Sequence, residues 1–316
     1  MYSDLRNLFS SLTRSLLFAA VFLTLYPQIA AAQKLLEPTL PELQSRAERG
    51  DALAQYKLGL SYLRNNPSNN DYLSALKWIR PSAAQGNASA QFVLGYLYEH
   101  GYGVPRDYAA AVANYQAAAH QQHSSAENNL ASLYQHGQGV PKNAAKAFEL
   151  YLASANHGNP VAQCNLAGLY YLGSGTPRDY RQAAKWFRAA ADSGSADAQN
   201  SLGVLYYYGQ GVTPDYAESA RWLLLAAQSG KPAAETNLAY LFEQGKGVPL
   251  DYVSAYYWYS RAISAGDTSG ADERKHLARV MTRKQLNEAT AQATAVSYQP
   301  QPPPSPSESF SLLQNH

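Results

Sequence analysis

This chain is short of cysteine, of net charge and of long apolar runs, and each shortage removes a class of protein. Its 316 residues include one cysteine, Cys164. A lone thiol closes no internal disulfide, so stability has to come from packing. Cys164 itself is expected to be a buried or semi-buried thiol, with pairing to another chain as the alternative. Charged residues make up 15% of the chain and balance to a formal +2, without a basic stripe for nucleic acid or a block of one sign. The apolar run near the N-terminus, Leu16 to Leu25, is ten residues, where a bilayer span needs about 20.

That short run has a different reading. Arg6 and Arg14 precede it, Pro27 follows, and Ala30-Ala31-Ala32 stand before Gln33. A basic start, a short apolar stretch and small residues at the cut site are the order of an export signal. Residues 1–32 are therefore expected to be a signal peptide cleaved near Ala32, leaving a periplasmic or secreted protein with no membrane insertion. An uncleaved anchor is the alternative. At the other end, residues 296–316 are rich in proline and serine, including Gln301-Pro302-Pro303-Pro304-Ser305-Pro306. They read as a disordered tail, with an extended recognition segment as the alternative.

What the chain has in quantity is tyrosine, 25 of them, and a strict period. Leucine followed by a small residue recurs every 36 residues: Leu58-Gly59, Leu94-Gly95, Leu130-Ala131, Leu166-Ala167, Leu202-Gly203 and Leu238-Ala239. An aromatic follows each pair, at Tyr62, Tyr98, Tyr134, Tyr170, Tyr206 and Phe242. Alanine holds another column: Ala54, Ala90, Ala126, Ala162, Ala198 and Ala234. Fixed periods of this length mark a solenoid, in which each unit buries its apolar face against its neighbours.

Within a unit the pattern predicts two helices. In the second, Ala90, Leu94, Leu97 and Tyr98 follow helical spacing. Gly101-Tyr102-Gly103-Val104 stops that helix, because glycine tolerates the positive φ of a C-terminal cap. Asp107 then caps a second helix. The glycine pair returns at Gly137/Gly139, Gly173/Gly175, Gly209/Gly211 and Gly245/Gly247, and the cap returns as Asn143, Asp179, Asp215 and Asp251. Trp78, Trp186, Trp222 and Trp258 share one second-helix column and are expected to be buried there. That column also holds Asn114 and Leu150, which predicts looser packing in the second and third units.

The run Ala-x-x-x-Leu-Gly-x-x-Tyr-x-x-Gly-x-Gly-Val-x-x-Asp, followed by Ala-x-x-Trp and Ala-Ala-x-x-Gly, resembles the Sel-one-like repeat, a relative of the tetratricopeptide repeat. The resemblance covers about residues 50–267 and is best in the second, fifth and sixth units. The first unit departs from it with Arg64-Asn65-Asn66-Pro67 in place of the glycine loop, the third with Ala144, the fourth with Thr176. It implies an all-α fold, a right-handed α/α superhelix of about six helix-turn-helix repeats. The expected division is a half-repeat cap at 33–51, six repeats at 52–267 and capping helices at 268–295. By the same resemblance, peptides or partner loops bind along the concave face.

Frame positions are fixed by packing, so recognition belongs in columns that vary while sharing that face. First-helix columns at spacings of 3 and 4 do so. They supply Tyr96, Glu99, Asn128, Tyr171, Asn200, Tyr207 and Tyr240 as candidate partner-binding residues, tyrosine giving contact area with a polar tip at low entropic cost. Asn129, Asn165 and Asn237 precede the leucine in three units and either bind a ligand backbone or bridge adjacent helices.

Catalytic signatures are sparse. Ser74-Ala75-Leu76-Lys77 matches Ser-x-x-Lys, but neither Ser-Asp-Asn nor Lys-Thr-Gly accompanies it. His100 and His136 occupy equivalent positions of successive units, and stacked units stand about 8–10 Å apart, too far for a compact zinc site. No His-Glu-x-x-His, phosphate loop or dinucleotide fingerprint occurs. The expectation is a non-catalytic adaptor without cofactor or metal, holding a protein or peptide partner. The resemblance suggests envelope assembly, exopolysaccharide export or regulation of a membrane sensor. The alternative is a periplasmic enzyme or binder acting on peptidoglycan or β-lactams.

Overall fold

The computed structural model describes residues 39–295 apart from position 65, so the expected signal peptide and proline-rich tail lie outside the described residues. Among the described residues there are fifteen helices and no strand. Helix α1 spans Leu40–Glu48. Six antiparallel pairs follow: α2 Ala52–Ser61 with α3 Asn69–Ala84, α4 Ala88–His100 with α5 Tyr108–Ala119, and α6 Ser124–His136 with α7 Ala144–Asn156. The next are α8 Pro160–Leu172 with α9 Tyr180–Asp192, α10 Ala196–Tyr208 with α11 Tyr216–Gln228, and α12 Pro232–Gln244 with α13 Tyr252–Ser264. Helices α14 Ala271–Val280 and α15 Arg283–Ala295 pack on α13. From α1 to α14 each helix packs on the next in sequence, the signature of an α-solenoid.

The punctuation follows from local chemistry. Gly101, Gly137, Gly173, Gly209 and Gly245 end the first helices in the left-handed conformation. The second glycine of each loop does something else. A Cβ on Gly139 would sit 2.5 Å from the Tyr108 carbonyl carbon, and one on Gly103 would sit 2.8 Å from Tyr72 Cβ. Gly175, Gly211 and Gly247 abut the backbone of Ala144, Tyr180 and Tyr216 in the same way. These glycines let each loop rest on the start of the preceding unit's second helix, so the loop sets the spacing between units. Asp107, Asn143, Asp179, Asp215 and Asp251 then cap the second helices, each accepting backbone N–H groups of the first turn.

The core corrects one expectation. Of the four tryptophans only Trp222 is buried; Trp78, Trp186 and Trp258 are half-exposed. The fully packed column lies one residue later: Ile79, Tyr115, Tyr151, Phe187, Leu223 and Tyr259, none more than 7% exposed. Burying each stabilises by about 2–3 kcal/mol. A step of one residue turns a side chain about 100° around the helix, which moves the tryptophans to the rim. There Lys77, Lys185, Arg221 and Arg261 lie 5.2, 5.1, 4.1 and 5.1 Å from the neighbouring indole centroids. Tyr115 and Tyr151 fill the core of the second and third units, so Asn114 and Leu150 leave no loosening there.

A second buried column is polar. Gln55, Gln91, Gln163 and Gln199 donate to the carbonyls of Ala47, Ala83, Ala155 and Ala191 at 3.1, 3.2, 3.4 and 3.3 Å, tying each unit to the one before. Two units carry glutamate instead. Glu127 meets His157 at 2.9 Å and Glu235 meets Arg261 at 2.8 Å, because a glutamate carboxyl cannot donate as the glutamine amide does and is faced by a nitrogen group instead.

Candidate functional site

First helices of successive units touch one another, α6 with α8 and α10 with α12, more than successive second helices do. The first helices therefore line the inner side of the array. The character of that side changes along the chain. In the first two units Tyr56, Leu60, Leu63 and Phe92 are buried and fill it. At equivalent positions further on stand Asn128, Cys164, Asn200 and Thr236, all half-exposed, and the face opens.

The ten candidate residues divide along the same gradient. Those of the second to fourth units other than Tyr171 are engaged with their own chain. Tyr115 Oη donates to Glu99 Oε2 at 2.6 Å and accepts from Asn129 Nδ2 at 3.1 Å. Asn128 Nδ2 donates to Asn129 Oδ1, and Asn165 Nδ2 to Asn128 Oδ1, both at 3.0 Å. Tyr96 stacks on His100 with centroids 4.0 Å apart. This ladder bridges first helices, and it holds Tyr115 protonated: burial and the facing Glu99 carboxylate push that phenol well above its ordinary range. Asn237 makes the same bridge to Asn200 at 3.0 Å.

The remaining candidates come together at two adjoining cavities. One, of about 220 Å³, is lined by Tyr171, Phe187, Asn200, Ser201, Val204 and Leu205. The other, of about 240 Å³, shares Val204 and is walled by Tyr207, Tyr208, Asn237 and Tyr240. Tyr259 lines it further in, and Ser269, Gly270 and Glu273 border it where α14 begins. That border is fixed by packing. Gly270 lies so close to the Tyr259 ring that a Cβ would overlap it, and Thr236 Oγ1 donates to Asp267 Oδ2 at 2.9 Å. Asp267 in turn accepts from the Ser269 N–H and hydroxyl at 3.0 and 2.6 Å.

Aromatic rings dominate the larger cleft. Tyr207 meets Tyr208, Tyr216 and Tyr240 at centroid distances of 4.8, 5.3 and 6.1 Å. Lys246 Nζ donates to Tyr207 Oη at 2.7 Å and lies 4.9, 5.5 and 5.7 Å from the ring centroids of Tyr207, Tyr216 and Tyr240. Burial raises the Tyr207 phenol, but hydrogen bonds to Lys246 and Tyr240 outweigh it, so its proton is held less tightly than usual. Lys246 is shifted up by the same bond. Phenols, amides, an ammonium and a carboxylate around an open cleft make a surface for docking by contact area and hydrogen bonds.

Six successive segments, 52–87, 88–123, 124–159, 160–195, 196–231 and 232–267, each match the Sel1 repeat. The chain belongs to the Sel1 repeat family. Sel1 repeats generally serve as protein-interaction scaffolds and are typically non-catalytic. Two solved Sel1-type structures are similar over most of this chain. One is c5321, a protective antigen present in uropathogenic Escherichia coli strains, with 32% identity and a TM-score of 0.72 over 82% of this chain and 56% of that one. The chain thus spans little more than half of c5321. The other is a Sel1 repeat protein from Oxalobacter formigenes, with 27% identity and a TM-score of 0.65 over 77% of this chain and 99% of that one. None of the curated proteins matches the chain.

Sequence reasoning missed Tyr208, Lys246 and Glu273. Tyr208 stands in a varied column, Arg64, His100, His136, Leu172, Tyr208 and Gln244, one residue beyond those chosen. Lys246 is the middle residue of a Gly-x-Gly loop, a position that also varies (Tyr102, Gln138, Ser174, Gln210) and reaches the preceding unit. Gln138 donates to Tyr108 Oη at 3.3 Å from that position. Glu273 lies in the cap, outside the period. Elsewhere, Lys77 of the Ser-x-x-Lys match extends over Trp78, and His100 and His136 engage carbonyls of their own helices at 3.0 and 2.8 Å. Among the described residues no cluster of His, Cys, Asp or Glu is placed to hold a metal ion, and no helix is long and apolar enough to cross a membrane.

Proposed function

We propose that this Sel1 repeat chain is a non-catalytic adaptor of the bacterial envelope, holding a partner protein along the inner face of its fourth to sixth units. The observation that supports this reading is the gradient of that face. Large apolar side chains fill it in the first two units, while the last three present tyrosine-walled cavities containing Tyr171, Asn200, Tyr207, Asn237 and Tyr240. Tyrosines with exposed rings and fixed hydroxyls give area and hydrogen bonding at little entropic cost. The export-signal pattern of residues 1–32 supports the compartment. Regulation of an envelope process then follows from occupancy of the groove.

The test is affinity capture from periplasmic extract with the mature chain, beside a Tyr171→Ala/Tyr207→Ala variant whose circular dichroism melt is unchanged. A specific protein retained by the intact chain and lost by the variant is the expected result. Equal recovery by both, or partners found only in cytosolic extract, overturns the assignment.

A further inference from the structure

We propose that the cleft between α10, α12 and α14 is a socket for an arginine side chain of the partner protein, bound by the Glu273 carboxylate and the Tyr259 hydroxyl and stacked beside Tyr208. The inference rests on the inner face being a binding surface and names the group that enters it. It starts from two equivalent tyrosines. In the second unit the Tyr115 hydroxyl is satisfied on both sides, donating to Glu99 and accepting from Asn129. Tyr259 and Glu243 repeat that pair in the sixth unit, with Tyr259 Oη donating to Glu243 Oε2 at 2.9 Å. The repeat pattern ends before the cap, yet one further interval of 36 from Asn237 falls on Glu273, the counterpart of Asn129. Where an amide would donate to Tyr259 there is a carboxylate, which has no proton to give. Tyr259 and Glu273 line the same cleft, and among the described residues no group donates to the Tyr259 oxygen. The cations beside Glu273 in sequence are engaged elsewhere: Lys275 pairs with Asp272 at 3.2 Å, and Arg274 lies over the Tyr256 ring at 5.7 Å.

The rest of the wall asks for the same kind of group. Its side-chain donors are committed within the chain: Asn237 to Asn200, Thr236 and Ser269 to Asp267, and Tyr240 to Tyr207. Lys246 is bonded to Tyr207 and does not line the cleft. An arriving group therefore meets acceptors and ring faces, apart from the exposed Tyr208 hydroxyl, and has to bring donors and positive charge. Burial first, then the Glu243 and Glu273 carboxylates, push the Tyr259 phenol well above its ordinary range, which marks the floor as negative. An apolar group seated here would leave Glu273 desolvated and unpaired. Arginine suits the cleft better than lysine, because a planar guanidinium can fork to two acceptors while stacking on a ring. Tyr208 is 66% exposed, which leaves its ring open to such stacking. The cavity of about 240 Å³ has room for about eight water-sized groups at about 30 Å³ each, enough for that side chain.

The experiment titrates the full chain with the peptide acetyl-Gly-Gly-Arg-Gly-Gly-amide and follows binding by saturation-transfer NMR. Matched peptides carry citrulline, the uncharged counterpart of arginine, or lysine at the central position. The expected result is binding of the arginine peptide at least about fivefold tighter than that of the citrulline peptide, with lysine between them. Glu273→Gln, which supplies an amide in place of the carboxylate, removes this preference, and Tyr208→Ala weakens the arginine peptide. Both residues are exposed, so both variants keep the wild-type thermal melt. Equal binding of the arginine and citrulline peptides, a preference that survives Glu273→Gln, lysine binding as tightly as arginine, or no binding at all overturns the proposal. Partner capture by the wild-type chain is scored separately. A partner retained despite a failed peptide test leaves the adaptor reading standing without the socket, and a positive peptide test without any captured partner does the reverse.

Discussion

Gly211→Ala tests whether the second loop glycine sets the spacing between units. Gly211 has φ +73°, and a Cβ there would fall on the Tyr180 carbonyl of the preceding unit. Gly194 serves as the control: it has φ +89°, is exposed, and a Cβ would meet nothing within 4 Å. Both alanines incur the left-handed cost of about 1–2 kcal/mol. Both recover about 0.4–1 kcal/mol from a less free unfolded chain. Gly194→Ala therefore destabilises by about 0.5–1 kcal/mol. Gly211→Ala adds the overlap with backbone that cannot rotate aside, about 1–3 kcal/mol for an overpacked site. The expected difference is about 2 kcal/mol, or about 4–8 °C in Tm for an array of this size. Thermal melts followed by circular dichroism measure it, and limited proteolysis locates early cleavage between the fourth and fifth units. Two variants melting within about 1 °C of each other would refute the idea that this glycine spaces the units.

Three further outcomes are expected. Burial raises the Glu235 carboxyl to about 7 from 4.5, against the opposing pull of Arg261, so the native state binds the extra proton. That stability is fully present below about pH 4.5 and lost as pH rises through 7, up to about 3 kcal/mol at 1.36 kcal/mol per pH unit; urea melts at pH 5 and 8 should show the fall, and Glu235→Gln should flatten it. Tyr115→Phe leaves Glu99 and Asn129 without their shared hydroxyl and should cost about 1–3 kcal/mol in denaturant melts; a loss under about 0.3 kcal/mol contradicts the ladder. Burial, with the nearby Asp197, pushes the Cys164 thiol up to about 11, so iodoacetamide at pH 8 should modify it far more slowly in the native chain than in urea; equal rates would show that the thiol is not protected.

Much of this molecule was legible before folding. The interval of 36 gave the units, because packing identical neighbours repeats the same demand for a small residue at Ala90 or Ala126 and a leucine at Leu94 or Leu130. Glycine pairs and capping aspartates located the helix ends, since few residues accept a left-handed backbone or satisfy a helix's first N–H groups. Helical spacing also showed which varied columns share one side of the first helices, and the resemblance to tetratricopeptide arrays made that side the inner one.

Other features needed the third dimension. A period says which positions are equivalent but not how far each lies from the core, so the tryptophans looked central until the next column, from Ile79 to Tyr259, was seen filling it. Asn129 and Asn165 had two readings, and only the placement of neighbouring helices showed them bridging to Tyr115 and Asn128. The cleft itself is a product of assembly: Tyr208, Tyr240 and Glu273 are 32 and 33 residues apart in sequence. Stacking brings the first two onto one wall, and the cap, which lies outside the period, adds the third. The sequence by itself determined the unit, its punctuation and its repetition, because these rest on local backbone chemistry. Where the inner face is filled and where it opens was decided by the tertiary structure, because that depends on which side chains of different units meet.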